Sequence, residues 1–105
     1  MADFMKLMQQ AQQMQSRLQE IQEELEKQSV SATSGGGMVT VTADGKGQIT
    51  AVKIDPSVVN PGDVEMLEDL VMVAIHEAQK KAEDLAKTEM VKLTGGMDLP
   101  FNLPA

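Results

Sequence analysis

From Phe4 to Leu25 the apolar residues return at alternating intervals of three and four: Phe4, Leu7, Ala11, Met14, Leu18, Ile21 and Leu25. This is an unbroken a/d heptad seam, the pattern of a helix that packs lengthwise against another helix. Asp3 is placed to cap the start, no Gly or Pro interrupts the run, and Gln fills much of the outer face. A long helix is therefore predicted over 4–27. Glu20, Glu23, Glu24 and Glu26 load its last turns with negative charge, against the helix dipole. Such a rod is about 36 Å long at ~1.5 Å per residue, whereas a compact domain of ~100 residues has a radius of gyration of about 13 Å. It should overhang the rest of the molecule, and its seam needs cover from a helix of the same chain or of a second one.

After Gln28 the period changes from helical to alternating. Strands are predicted over 29–34, 38–43 and 48–54, with Val39, Val41 and Ala43 on one face of the second and Thr50, Val52 and Ile54 on one face of the third. Gly35-Gly36-Gly37 separates the first two strands. Asp44-Gly45-Lys46-Gly47 marks a hairpin, since Asp-Gly supports the positive φ of tight turns. Asp55-Pro56 ends the third strand, and Asp63 is placed to cap a second helix over 63–93. The first half of that helix, with Leu67, Leu70 and Val71, is apolar on most sides and should be buried by both the sheet and a partner. Its second half is amphipathic, with Ala78, Ala82, Leu85 and Ala86 forming a stripe. Acids gather at its start and lysines near its end, in accord with the dipole. The Gly- and Pro-rich tail, 94–105, is expected to be mobile. The expectation is a single α+β domain over 1–105: helix, three-stranded antiparallel sheet, helix.

Composition narrows the chemistry. A chain of 105 residues buries only about 60–70% of its unfolded surface, so pairing with a second copy is an easy way to gain stability. There is no Trp, Tyr or Cys, only two Phe and a single His. Disulfides and thiolate chemistry are excluded, and the aromatic platforms on which single-strand binders stack bases are missing. The nine Met residues suit irregular cores or interfaces that must adapt. No run of apolar residues is long enough to span a membrane, and MADFMKLMQQ lacks the apolar stretch of a signal peptide, so a cytoplasmic protein is expected. The glycines of Ser34-Gly35-Gly36-Gly37-Met38 lead into a strand, whereas a phosphate loop leads into a helix N-terminus. His76-Glu77-Ala78-Gln79-Lys80 begins like a zinc signature but has Lys where the second His is needed. Glu68 and Asp69 lie in the first turns of a helix, where acids are expected anyway. No catalytic residue, metal, cofactor or small-molecule substrate is predicted.

The net charge of −7 opposes nucleic-acid binding, because DNA affinity comes largely from Lys and Arg displacing counterions. The basic residues are nonetheless clustered. Lys80, Lys81, Lys87 and Lys92 crowd the distal half of the second helix, and Lys6 sits at the free start of the first. Two readings stand side by side: an ordinary solvated face complementing the dipole, or basic helical tips that straddle phosphates. An antiparallel packing of the two helices would bring Lys6 towards Lys87 and Lys92.

Several stretches, in order, resemble the YbaB/EbfC family of small bacterial nucleoid-associated proteins. They are Met5-Lys6-Leu7-Met8-Gln9-Gln10-Ala11-Gln12-Gln13-Met14-Gln15, Gly35-Gly36-Gly37-Met38-Val39, Ile54-Asp55-Pro56, Met66-Leu67-Glu68-Asp69-Leu70-Val71 and Leu93-Thr94-Gly95-Gly96-Met97. The resemblance implies a tweezer-like homodimer with protruding helices, nucleoid-associated, binding double-stranded DNA with low sequence specificity in nucleoid organisation or gene regulation. It places DNA contact on the projecting helical ends, hence on Lys6, Lys80, Lys81, Lys87 and Lys92. Dimer or helix packing falls to Phe4, Leu7, Ala11, Met14, Leu18, Ile21, Leu25, Leu67, Leu70 and Val71. The alternative from the residues themselves is a coiled-coil adaptor that binds protein partners through the Met-rich seam of the first helix.

Overall fold

The computed structural model describes residues 2–94; the predicted mobile tail and Met1 lie outside the described residues, apart from the backbone of Thr94. Helix α1 runs Ala2–Lys27, followed by strands β1 (Ser29–Ser34), β2 (Val39–Asp44) and β3 (Ile49–Ile54), and then by helix α2 (Val64–Thr94). The strands form one antiparallel sheet in the order β1-β2-β3. The expected architecture of helix, three-stranded antiparallel sheet and helix is present, with bounds shifted by a residue or so. Asp63 caps α2 as expected, its carboxylate accepting from the Met66 amide at 3.1 Å. Asp3 does not cap α1, because the helix already begins at Ala2 and Asp3 lies inside its first turn.

Side chains on β1 and β2 alternate between the two faces of the sheet. Val39, Val41, Ala43 and Ala32 point to one face and are buried, and α2 lays Ala74 and Ala78 against them. The small alanines let the helix approach the sheet closely, and Val39 and Val41 are the largest fully buried side chains. Leu67, Leu70, Val71 and Ile75 flank this core and are half-buried. The opposite face is polar, with the Ser31 and Thr42 hydroxyls 3.1 Å apart across strands.

Helix α2 lies chiefly on β1 and β2. Strand β3 is left largely uncovered, with Val52 45% and Ile49 36% exposed. The face expected on β3 is altered by a bulge. Val41 faces Val52 and Val39 faces Ile54, but Ala43 faces Ile49, so the irregularity at Thr42/Ala43 takes Thr50 out of that row.

Two glycine sites fix how the helices join the sheet. Gly35, Gly36 and Gly37 all have positive φ and form a tight turn after β1. There Ser34 Oγ donates to the Leu70 carbonyl at 2.6 Å, and a Cβ on Gly35 would meet Leu70 at 3.2 Å. In the β2–β3 turn the left-handed residue is Gly47, with φ 89°, rather than Gly45. The buried Asp44 carboxylate organises this turn by accepting from the amides of Lys46 and Gln48 at 2.9 and 3.0 Å. Gly45 serves a different need: its amide donates to the Leu25 carbonyl at 2.8 Å, so closely that a Cβ would lie 2.6 Å from that oxygen. The end of α1 is thereby tied to the hairpin.

The molecule measures 72 × 25 × 17 Å with a radius of gyration of 19.5 Å, well above the ~13 Å of a compact chain of this length. The overhang predicted for the first helix is present. Every α1 side chain from Asp3 to Arg17 is exposed, Leu18 and Ile21 are half-buried, and only Leu25 is buried. The first part of α1 is an arm that the described residues of its own chain leave exposed.

Candidate nucleic-acid interface

The arm and the outer part of α2 differ in charge from the body that carries them. From Ala2 to Gln19 the arm holds two cations, Lys6 and Arg17, against one acid, Asp3. Between Lys80 and Lys92, α2 holds four lysines against Glu83, Asp84 and Glu89. The arm is slightly positive although the chain carries −7, whereas α2 from Glu83 outward sets Lys87 and Lys92 against three acids, Lys80 and Lys81 lying level with the sheet. The acids concentrate instead in Glu20–Glu26 at the base of the arm and in Asp63–Asp69 at the start of α2. A polyanion meeting the projecting arm would therefore meet a local field opposite in sign to the global one.

The structure separates the predicted lysines by role. Lys81 Nζ donates to the Ser31 carbonyl at 2.8 Å, which ties α2 to the edge strand β1. Lys87 lies 3.8 Å from Glu83 and Lys92 3.4 Å from Glu89, both on one helix and exposed. Exposed pairs of this kind contribute about 0–1 kcal/mol, so a phosphate can displace the glutamates at little cost. Among the described residues, Lys6 and Lys80 have no hydrogen-bonded or ion-paired partner. Lys6 and Lys92 are not at one level. Counted at ~1.5 Å per residue from Leu25 and Ala82, which line one cleft, Lys6 lies about 28 Å along α1 and Lys92 about 15 Å along α2. The cations make a spaced row rather than a single cluster.

Arg17, which the sequence pattern did not single out, belongs to the same surface. It is the only arginine in the chain, and it lines a shallow depression along α1 with Gln9, Gln12, Gln13 and Ser16. A guanidinium offers a rigid fork of donors to phosphate or base edges, and glutamine offers both a donor and an acceptor. The signal was present in the sequence: at spacings of three, one, three and one, these residues share one stripe of the helix.

Among the described residues no group of three or more His, Asp or Glu side chains is placed to hold a metal ion. The one resolved shift in acidity belongs to Asp55, whose exposed carboxyl is held below its ordinary range by hydrogen bonding, first from the Ser57 amide at 2.8 Å and then from the Ser57 side chain. That carboxylate caps the turn after β3. No described helix is long and apolar enough to cross a membrane.

The chain is similar to known proteins over nearly its whole length. The profile of the YbaB/EbfC DNA-binding family matches residues 1–97. A nucleoid-associated protein of Gemmatimonas aurantiaca is 55% identical over 102 residues, which cover 97% of this chain and 98% of that protein. One from Rhodospirillum rubrum is 45% identical over 100 residues, covering 95% and 94% of the two chains. Among solved structures, an uncharacterised Helicobacter pylori protein superposes with a TM-score of 0.80 at 26% identity, over 88% of this chain and 97% of that one. The matched family and the named relatives are nucleoid-associated DNA-binding proteins, not enzymes. With a profile that spans nearly the whole chain and relatives of equal length, this protein belongs to the YbaB/EbfC DNA-binding family.

Proposed function

We propose that the chain acts in the nucleoid as a homodimer that binds duplex DNA with low sequence specificity, in nucleoid organisation or gene regulation. The observation that carries the reading is the reversal of charge between the acidic body and the projecting arm of α1, with four further lysines on the second half of α2. Lys6, Lys80, Lys87 and Lys92, with Arg17, are the groups assigned to backbone phosphates; Lys81 adds charge while bound to the sheet edge. Phosphate contacts set register without reading sequence, and a row of spaced cations is suited to that. Pairing is supported by the small core and by the apolar side chains left open on β3 and α2, among them Val52, Met72 and Val73. A second copy would cover them.

The test is fluorescence anisotropy of a labelled duplex across a salt series. Binding is expected to weaken log-linearly with salt, at a slope of about −0.9 per phosphate neutralised, with a count of a few per site. Absence of binding at low salt would refute the DNA reading. The exposed seam of α1, with Phe4 65% and Leu7 63% open, favours as second reading a coiled-coil adaptor for protein partners. That reading requires partners that stay bound after nuclease treatment.

A further inference from the structure

We propose that the free part of the α1 seam pairs antiparallel with the same segment of a second copy, arm against arm. The pairing is distinct from the one assigned above to β3 and α2, and does not depend on it.

The seam divides sharply by exposure. Leu25 is buried and Leu18 and Ile21 are half-buried, so the body of the chain covers its base. Phe4, Leu7, Ala11 and Met14 are all exposed, at 65% for Phe4, 63% for Leu7 and 46% for Met14. Those residues are two a and two d positions. In an antiparallel pair an a residue meets a d residue of the partner. Phe4 then faces the second copy's Met14 and Leu7 faces its Ala11, and by two-fold symmetry the reverse holds as well. The pairing closes on these residues with none left over. The partner's tip ends beside Leu18, where cover from the chain's own body begins. Bulky Leu7 meeting small Ala11 in both central layers keeps the packed volume even.

Charge selects the same orientation. The g positions along the arm are Asp3, Gln10 and Arg17. In this register Asp3 faces the second copy's Arg17, once on each side of the axis, and Gln10 faces its own symmetry mate. A parallel pair would separate these charges and set Glu20, Glu23, Glu24 and Glu26 beside their own copies. It would also bring two bodies to the same end of the arms. The antiparallel pair sends the bodies to opposite ends and leaves each glutamate cluster beyond the partner's tip. Lys6, at an outer position, stays open to solvent. If copies also pair through β3 and α2, two isologous contacts on different faces link them into an open chain, able to hold two DNA segments together.

The experiment uses the full chain without DNA, and exploits its lack of cysteine. Leu7→Cys and Ala11→Cys chains are mixed and oxidised, with Ser16→Cys on the outer face as control. All of these side chains are exposed, so the fold of the chain is not at risk. The mixed pair should form disulfide at least about tenfold faster than the control, given that a disulfide demands Cβ atoms about 4 Å apart. In the mixed background, Arg17→Asp should lower the rate several-fold, and adding Asp3→Arg should restore it. A mixed-pair rate equal to the control overturns the proposal, and so does failure of the swap to restore it. Adding Phe4→Glu and Met14→Glu to both cysteine chains, and following their sedimentation mass, separates this pairing from the other. Loss of cross-linking with a two-chain mass retained removes the arm contact alone.

Discussion

Replacing Gly45 by alanine tests the way the arm is fastened to the body. The added Cβ would lie 2.6 Å from the Leu25 carbonyl oxygen, 2.9 Å from Leu25 Cδ2 and 3.0 Å from Leu25 Cα. Two of these atoms are backbone and cannot rotate away. To admit the methyl group, the end of α1 must move off the hairpin, which stretches the 2.8 Å bond from the Gly45 amide. It also disturbs the Gln28 amide, which donates to the same carbonyl at 3.2 Å. Overpacking at a tight site costs about 1–3 kcal/mol, and a weakened hydrogen bond adds about 1 kcal/mol. The expected loss is thus about 2–4 kcal/mol out of a total near 5–15 kcal/mol. At about 4–8 °C per kcal/mol for a domain of this size, Tm should fall by roughly 8–32 °C. Thermal unfolding followed by circular dichroism at fixed protein concentration measures this. Gly47→Asn is the matched comparison, because Gly47 has a φ of 89° with nothing within 4 Å of a Cβ, and Asn visits that region readily. It should cost no more than about 1 kcal/mol. A Gly45→Ala protein as stable as wild type, or the reverse order of the two variants, would refute the view that close approach, rather than φ, demands glycine at 45.

Further outcomes follow from the same geometry. Lys87→Glu with Lys92→Glu should abolish duplex binding by anisotropy while leaving the sedimentation mass unchanged, since both lysines are engaged only in exposed intrahelical pairs. Lys6→Gln with Arg17→Gln should make the salt slope shallower, by about 0.9 for each phosphate no longer neutralised, whereas Lys46→Gln should not, because Lys46 lies on the β2–β3 turn beside the acidic base of the arm, with Glu26 at 3.0 Å. Val52→Glu should weaken self-association in sedimentation by at least about 100-fold, because a buried charge without a partner costs about 3–5 kcal/mol. Asp55→Asn should cost stability at neutral pH. Because the Asp55 carboxyl is held below its ordinary range, its contribution is complete above that range and is lost as pH falls through the lowered value. The gap between wild type and Asp55→Asn in urea titrations should therefore close in acid.

The elements were legible because each is written locally. The seam spacing gives α1, Asp63 caps α2 through the Met66 amide, and the alternation of Val39, Val41 and Ala43 gives the buried face of β2. What the sequence hid depends on contacts between elements. Gly45 looked like a turn residue needing positive φ, but its constraint is the carbonyl of Leu25, 20 residues earlier. The bulge that takes Thr50 out of line on β3 is a matter of register with β2. Lys81 looked like its neighbour Lys80, yet only one of them reaches the carbonyl of Ser31. The heptad seam announced a helix seeking cover without saying where its own chain stops supplying it, and only the fold places that boundary at Leu18. Arg17 was missed because attention to lysine clusters passes over a single cation among glutamines.

The acidic total charge is the strongest objection to a DNA-binding role, and it weakens once charge is assigned to place. Electrostatic attraction to a phosphate is felt over about a Debye length, some 8 Å at physiological ionic strength. The molecule is 72 Å long, so the acids at the base of the arm and at the start of α2 are screened from whatever meets the arm's tip. Net charge then governs the approach of a whole molecule from a distance, while local charge governs the contact. An acidic body repels other acidic bodies and DNA alike, which keeps copies from condensing indiscriminately. On the proposed role, the segments that come close to a duplex are those where Lys6, Arg17, Lys87 and Lys92 lie. A chain that binds DNA in the proposed way should bind weakly through any one arm and gain affinity by presenting several arms together, so the proposed self-pairing would serve more than the stability of a small core.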